Sequence, residues 1–346
     1  MKKIAILGAG SWGTALAIVL TRSRQPHRIS LWVHDPELAE FLCRERENPT
    51  YLSGEKLPAE VEVTNDMAEA LAEAQIVVGA IPSAYARKVY AQARPHWQRD
   101  VIVVSATKGL EPITHARMSE VIHEVLGDAA AARSAVLSGP SFALEAARGE
   151  PTAVVVAGRP VLELTRVVGR HYADPAGEVQ AEFAGPGFRL YTNNDVLGVE
   201  LAGAMKNVIA IAAGACTGLG LGANSLAALI TRGLAEMSRL AGRLGAKPGT
   251  MSGLAGLGDL VLTCNGALSR NRQLGMQLGQ GRELKEILAE MKMVAEGVGT
   301  SAALLDLAAE ANIELPITEQ VAMILHEGKS PAEAIRDVME RPSKRE

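Results

Sequence analysis

Lys206, in Gly203-Ala204-Met205-Lys206-Asn207, sits near the middle of an otherwise apolar helical pattern, and its type demands a chemical explanation. Lysine is rarely buried unless paired, so this side chain either snorkels to the surface or faces a polar cleft. In a cleft, a desolvated amine with its pKa moved from about 10.4 toward 7 or 8 can give a proton to a ketone oxygen as hydride reaches the carbon. Downstream stand Gly256-Leu257-Gly258-Asp259 and Ser269-Arg270-Asn271-Arg272. Ser269 can cap the helix that follows, and a helix N-terminus with two arginines suits an oxyanion such as phosphate; the plainer alternative is a capped, solvated basic helix start. Asp259 reads as a loop or cap residue, or as the carboxylate that orients Lys206.

A second set of candidates lies in the first half. Gly8-Ala9-Gly10-Ser11-Trp12-Gly13 directly follows an apolar β-branched run and directly precedes the helical pattern Thr14 to Leu20. In that context Gly8 permits a tight turn, Gly10 lets a pyrophosphate approach the backbone, and Gly13 lets helix and strand pack closely, which predicts dinucleotide binding. The next strand, Arg28 to Val33, ends in His34-Asp35 rather than in an acid at its last position. Asp35 can grip a ribose 2′-hydroxyl, whereas His34 and nearby Arg44 can receive a 2′-phosphate, so NAD and NADP both stay open. Ala106-Thr107-Lys108-Gly109 and Gly139-Pro140-Ser141-Phe142-Ala143 each follow a strand pattern. Lys108 suits an oxyanion or a ketone oxygen and Ser141 a substrate or cofactor oxygen.

The elements that must position these residues fall into two halves. From Lys3 to about Ala157, short runs at Ile4 to Leu7, Ile29 to Val33, Ile76 to Ala80, Val101 to Ser105, Ala135 to Ser138 and Ala153 to Ala157 alternate with helical patterns. That rhythm predicts a doubly wound parallel sheet covered on both faces, with ligands at the carboxyl ends of the strands. After about Tyr191, long helical patterns dominate: Asn194 to Ala215, Ser225 to Leu244, Ser269 to Leu278, Leu284 to Met293 and Ser301 to Ala311. The Gly- and Pro-bearing segment Ala173 to Gly187 marks the approach to a boundary near residue 190, giving domains 1–190 and 191–346. The tail Arg341 to Glu346 reads as frayed.

With 346 residues, 48% hydrophobic and 21% charged, the chain is long enough for two domains and is neither disordered nor fibrous. A net charge of -4 shows no basic field for nucleic acid or an anionic membrane. Cys43, Cys216 and Cys264 are odd in number and far apart, which excludes a disulfide framework and fits a reducing compartment. No Walker A, HExxH or GxSxG motif and no metal-spaced His/Cys cluster occurs, so no metal is expected. The apolar start at Met1 runs into the glycine turn too early for a signal peptide. The most apolar stretch, Val208 to Ala223, is shorter than a bilayer requires and predicts a buried core helix with its exit loop. Its Gly214, Gly218 and Gly222 spacing predicts close helix packing or loop turns.

Taken together, GAGSWGTALA at 8–17, LWVHDPE at 31–37, SATKGLE at 105–111, SGPSFALE at 138–145, GAMKNVIAIAAG at 203–214, ITRGLAEMSRL at 230–240, AGLGDLVLTC at 255–264 and SRNR at 269–272 closely resemble bacterial NAD(P)-dependent glycerol-3-phosphate dehydrogenases. The resemblance spans nearly the whole chain. It implies a Rossmann-type N-terminal domain with an all-helical C-terminal domain of the 6-phosphogluconate dehydrogenase-like class. It also implies a cytoplasmic homodimer that reduces dihydroxyacetone phosphate to sn-glycerol 3-phosphate for phospholipid synthesis. By resemblance Lys206 is the catalytic lysine; Asp259, Ser269, Arg270, Asn271, Lys108, Gly139 and Ser141 contact substrate. Ser11, Trp12, His34, Lys108, Ala143, Arg270, Val294 and Glu296 contact the dinucleotide, the last two without any local signal of their own. Thr217-Gly218 departs from the family's usual acid followed by Gly. Two alternatives stand beside this reading. One is a dehydrogenase of β-hydroxyacids or another phosphorylated alcohol, a branch that tends to place Asn four residues after the lysine, where this chain has Ala210. The other is a dinucleotide-binding sensor without turnover.

Overall fold

The protein is described here from a computed structural model at residues 1–159, 174–291 and 293–342. Three expectations reach past those limits: residue 173 of the boundary segment, residue 292 of the pattern ending at Met293, and residues 343–346 of the charged tail lie outside the described residues. The described chain divides into two compact units, one comprising Met1–Glu111 and Ala116–Glu200, the other Pro112–His115 and Leu201–Glu346.

In the first unit the strands are β1 (Lys2–Leu7), β2 (His27–Trp32), β3 (Glu47–Asn48), β4 (Leu52–Lys56), β5 (Val61–Thr64), β6 (Ala74–Gly79), β7 (Ile102–Ser105), β8 (Ser134–Ser138), β9 (Thr152–Gly158) and β10 (Phe188–Asn193). Eight of them form one sheet in the order β10-β9-β8-β7-β6-β1-β2-β5, and β3 and β4 form a separate hairpin. All six predicted runs are strands; β5, β10 and the hairpin are additional. Alternation splits the sheet's side chains between two cores. Ile4, Ile6, Ile29, Leu31, Ile76, Val78, Ile102 and Val104 belong to one, and Ala5, Leu7, Trp32, Val77 and Val103 to the other. A strand buried on both faces is what a near-continuous apolar run encodes.

The sheet is parallel except at β8 and β9, which pair antiparallel. Sequence rhythm predicts a parallel neighbour there. An apolar strand pattern carries no sign of strand direction, and the segment between β8 and β9 holds the single short helix Ala143–Arg148. The order reverses between β1 and β6, so the loops after these two strands flank the crevice where α/β sheets bind ligands.

The second unit is helical. Val196–Gly218, which contains the division between the units, is long and apolar enough to cross a membrane by length and composition, but 83% of its most apolar window is buried inside the protein. It crosses Arg270–Gly279 at backbone contact. A Cβ on Gly214 would lie 2.0 Å from the Arg272 carbonyl oxygen, and one on Gly275 would lie 1.9 Å from that of Ile211. Gly218 is pressed against Met276 in the same way, whereas Gly222 begins the next helix, Ala223–Arg243, in open space.

From that helix Glu236 reaches the N-terminus of Pro316–Glu327, accepting hydrogen bonds from Ile317 N at 2.6 Å, Thr318 N at 3.3 Å and Thr318 Oγ1 at 3.2 Å. Burial pushes its carboxyl above the ordinary value of 4.5, against the pull of these donors. A carboxyl raised by folding binds its proton more tightly in the native state, so its contribution to stability declines as pH rises through the raised value. Glu236→Gln removes that component, so denaturant unfolding between about pH 5 and about pH 8 will show the variant gaining on wild type as pH rises. A pH-independent difference would refute the assignment.

Candidate active site

The glycine loop is built by steric exclusion. Gly8 follows β1 with φ +110°, and its N–H donates to Trp32 O at 3.1 Å, locking the loop to β2. A Cβ on Gly8 would lie 2.6 Å from Ala80 O, and one on Gly13 would lie 1.8 Å from Gly8 O. These two glycines are therefore required by the protein itself. Gly10 is not: its φ is -71° and a Cβ there would meet nothing within 4 Å. That leaves open space in which a ligand can approach the backbone. The loop is held from below by Asn48, fully buried in the hairpin, whose Nδ2 donates to Ala9 O at 2.8 Å and Thr14 Oγ1 at 2.9 Å.

Beside the loop, the indole N–H of Trp12 is buried without a hydrogen-bond partner among the described residues, and its ring lies 6.5 Å from that of Phe188. An orphaned donor next to an open glycine at a helix N-terminus fits the pyrophosphate and ribose of a dinucleotide. His34 is exposed with its ring 5.7 Å from Trp32. Asp35 caps the helix Pro36–Glu45, its Oδ1 accepting from Glu37 N at 3.0 Å and Leu38 N at 3.4 Å, so one of its oxygens is already engaged.

On the same strand edge, Lys108 Nζ donates to Gly139 O at 2.8 Å and Ser141 Oγ at 3.3 Å. Gly139 takes φ +119° so that its carbonyl turns toward the lysine. Thr107 Oγ1 ties this loop to Ile81 O at 2.6 Å, and Ala143 opens the helix just beyond. Thus the loops after β6, β7 and β8 are joined by side-chain bonds.

In the helical unit, Lys206 is 6% exposed and its Nζ donates to Asp259 Oδ1 at 2.7 Å and Thr263 Oγ1 at 2.8 Å. Asp259 is therefore the carboxylate that orients the lysine. It is placed by an unusual turn, Leu254–Gly258, in which Gly258 N bonds back to Gly253 O at 3.1 Å, an i→i+5 step. Thr263, one helical turn after Asp259, also donates to Asp259 O at 2.6 Å. Sequence reasoning missed Thr263, although its i+4 spacing from the acid was the available signal.

The next residue, Asn207, belongs to a second set of bonds: Asn271 Nδ2 donates to Asn207 Oδ1 at 3.0 Å, and Gly297 N donates to Asn271 Oδ1 at 3.0 Å. Ser269 caps Arg270–Gly279, accepting from Arg272 N at 3.2 Å. Arg270 Nη1 donates to Val294 O at 3.3 Å. Burial lowers the Arg270 pKa from its usual value, and Glu296 offsets this in part. A guanidinium so desolvated is suited to an anionic ligand. Val294 and Glu296, invisible to motif reading, are thereby brought beside Arg270. Among the described residues no group of three or more His, Cys, Asp or Glu could hold a metal.

The two kinds of glycine separate in experiment. Gly13→Ala will destabilise the fold by about 3 kcal/mol or more in thermal unfolding, since the clash is with backbone. Gly10→Ala will leave stability within about 0.5 kcal/mol of wild type while weakening dinucleotide binding by about tenfold or more.

The site's composition agrees with comparison to known proteins. Residues 3–161 match the family described as the NAD-dependent glycerol-3-phosphate dehydrogenase N-terminus, and residues 195–336 match its C-terminus. A glycerol-3-phosphate dehydrogenase [NAD(P)+] of Koribacter versatilis is 51% identical over 344 residues, covering 99% of this chain and 98% of the relative. The crystal structure of glycerol-3-phosphate dehydrogenase from Coxiella burnetii superposes with TM-score 0.89 at 38% identity, covering 98% of this chain and 99% of that one. A ketopantoate reductase from Ralstonia eutropha, at 16% identity and TM-score 0.58, shares the fold alone. The chain belongs to the NAD-dependent glycerol-3-phosphate dehydrogenase family.

Proposed function

We propose that this chain reduces dihydroxyacetone phosphate to sn-glycerol 3-phosphate, reversibly, supplying glycerophospholipid synthesis, with NADH or NADPH as cofactor. The observation that carries the reading is the buried Lys206–Asp259 pair, whose chain neighbour Asn207 accepts a hydrogen bond from Asn271, the residue next to Arg270. It sets a proton donor and a guanidinium suited to an anion on two helices tied to each other by a side-chain bond.

In this reading the sheet-bearing domain, expected over 1–190, binds the dinucleotide and the helical domain, expected over 191–346, binds and protonates substrate. Gly8, Gly10, Ser11, Trp12, Gly13, His34, Lys108, Ala143, Arg270, Val294 and Glu296 are assigned to the cofactor. Lys108, Gly139, Ser141, Asp259, Ser269, Arg270 and Asn271 are assigned to substrate. When bound, the reduced nicotinamide supplies hydride to the ketone carbon. Lys206 gives a proton from Nζ to the ketone oxygen, and its positive charge stabilises the alkoxide as it develops. Asp259 and Thr263 fix the direction of Nζ. In the oxidative direction the neutral amine takes the proton back. Ser269, Arg270 and Asn271 hold the phosphate, which orients the carbonyl.

Three free thiols, Cys43, Cys216 and Cys264, support a cytoplasmic location. Exposed Leu219, Leu221, Val261 and Leu268 on the helical unit support a homodimer.

Lys206→Ala will lower kcat by roughly a thousandfold while NADPH binding, followed by its fluorescence, persists. Near wild-type turnover would refute the role. Arg270→Ala will raise KM for dihydroxyacetone phosphate by roughly 10 to 100-fold, and an unchanged KM would overturn its assignment to the phosphate. The decisive assay is loss of reduced-nicotinamide absorbance on adding dihydroxyacetone phosphate, with NADH and NADPH in parallel and dihydroxyacetone as control. No oxidation with both cofactors bound would overturn the proposal.

A further inference from the structure

The Asn48 amide is fully buried and is used in both directions. Its Oδ1 accepts from Tyr51 N at 3.1 Å, which closes the turn between β3 and β4. Its two Nδ2 hydrogens leave the hairpin altogether, one going to Ala9 O at 2.8 Å and the other to Thr14 Oγ1 at 2.9 Å. Thr14 Oγ1 in turn gives its own hydrogen to the same Ala9 O at 3.3 Å. One carbonyl of the glycine loop is thus gripped from two elements at once. The hairpin that delivers Asn48 is itself fixed at its root. Leu57 N donates to Arg46 O at 2.7 Å, and the Arg46 guanidinium bonds Pro58 O and, at 2.8 Å, Val61 O. Leu52 and Leu57 are buried in one of the sheet's two cores.

Ala9 O belongs to the peptide that joins Ala9 to Gly10. That peptide is trans, and in a planar trans unit the N–H points opposite to the C=O. A carbonyl drawn toward the hairpin therefore turns the Gly10 N–H away from it. This N–H has no acceptor among the described residues, and a Cβ on Gly10 would meet nothing within 4 Å. Gly8 N, by contrast, is already committed to Trp32 O. Nothing in the backbone alone preserves the orientation, because turning the peptide over changes φ at residue 10, and glycine tolerates the values that result. What preserves it is the grip on the carbonyl. A free N–H held outward at the start of the helix Ser11–Thr21 suits an oxygen of a pyrophosphate.

We propose that Asn48 is a positioning residue for the cofactor: by holding Ala9 O it keeps the Gly10 N–H facing the pyrophosphate of the bound dinucleotide. The inference rests on the reading that the glycine loop binds a dinucleotide. NADPH titration followed by nucleotide fluorescence compares wild type with three variants. Asn48→Asp keeps an acceptor for Tyr51 N and loses both donors, Asn48→Ala loses all three bonds, and Arg148→Gln breaks the 2.9 Å ion pair of Arg148 with Glu55 on β4 without touching Ala9. Both Asn48 variants will raise the NADPH dissociation constant by about tenfold or more, while Arg148→Gln will stay within about twofold of wild type. Turnover at saturating NADPH will fall by less than about twofold in the Asn48 variants, the split expected when the grip on cofactor is lost and the lysine chemistry is untouched. In protein labelled with nitrogen-15 glycine, the Gly10 amide, assigned as the resonance missing from Gly10→Ala, will shift or broaden in Asn48→Ala before any nucleotide is added. An NADPH constant unchanged in both Asn48 variants, or raised equally in Arg148→Gln, overturns the proposal. So does a parallel fall in turnover at saturating NADPH, or an unmoved Gly10 amide. Should neither Asn48 variant fold, Thr14→Val, which removes the hydroxyl that shares Ala9 O, carries the same test at about threefold. Wild type that binds neither NADPH nor NADH would instead sink the dinucleotide reading, while the Gly10 amide would still decide what Asn48 holds.

Discussion

A positive charge enters a protein interior only with its counter-charge and hydrogen-bond acceptors already in place. The helical unit is organised by that constraint. Lys206 lies in the middle of a helix that is otherwise apolar, and the two atoms that make its burial tolerable, Asp259 Oδ1 and Thr263 Oγ1, come from a single helical turn some fifty residues on. Holding that turn against Val196–Gly218 requires helices packed at backbone contact and a further bridge through Asn207 and Asn271 to the start of Glu296–Ala311. The carboxylate and hydroxyl that fix the direction of the amine are the same two groups that let it be buried at all.

The sheet-bearing unit obeys a different limit, the closeness with which backbones approach. Gly8 and Gly13 let β1, the loop and the first helix meet at distances no side chain would permit. Asn48 fastens the loop from the hairpin, and Lys108 fastens the loops after β7 and β8 to one another. Polar side chains here stitch together loops that belong to different strands.

How much of this was legible in the sequence followed from how local the cause is. The glycine fingerprint, the strand runs and the Ser269 cap each depend on a few adjacent residues, and all were readable. The pairing of Asp259 with Lys206 stood open as one of several readings because fifty residues separate them. Asn48 gave no signal, since a lone asparagine in a short hairpin looks like any turn residue. The strands β5 and β10 were missed because Val61–Thr64 is short and Phe188–Asn193 alternates with Arg189 and Tyr191 exposed, which weakens the apolar run. The antiparallel direction of β9 was not readable because an apolar β-branched run looks the same in either direction. Val294 and Glu296 reach the site through a tertiary bond to Arg270, so family resemblance alone pointed to them.

The turn Leu254–Gly258 ties the direction of a carboxylate to the number of residues before it. Each residue in a helix advances the side-chain direction by about 100°, so the extra residue held in the i→i+5 step sets the angular phase at which Asp259 emerges. Insertion or deletion of one residue there would swing the acid off the lysine while leaving every side chain chemically intact. The pairing of Asp259 with Lys206 thus constrains the number of residues across these five positions more tightly than their composition.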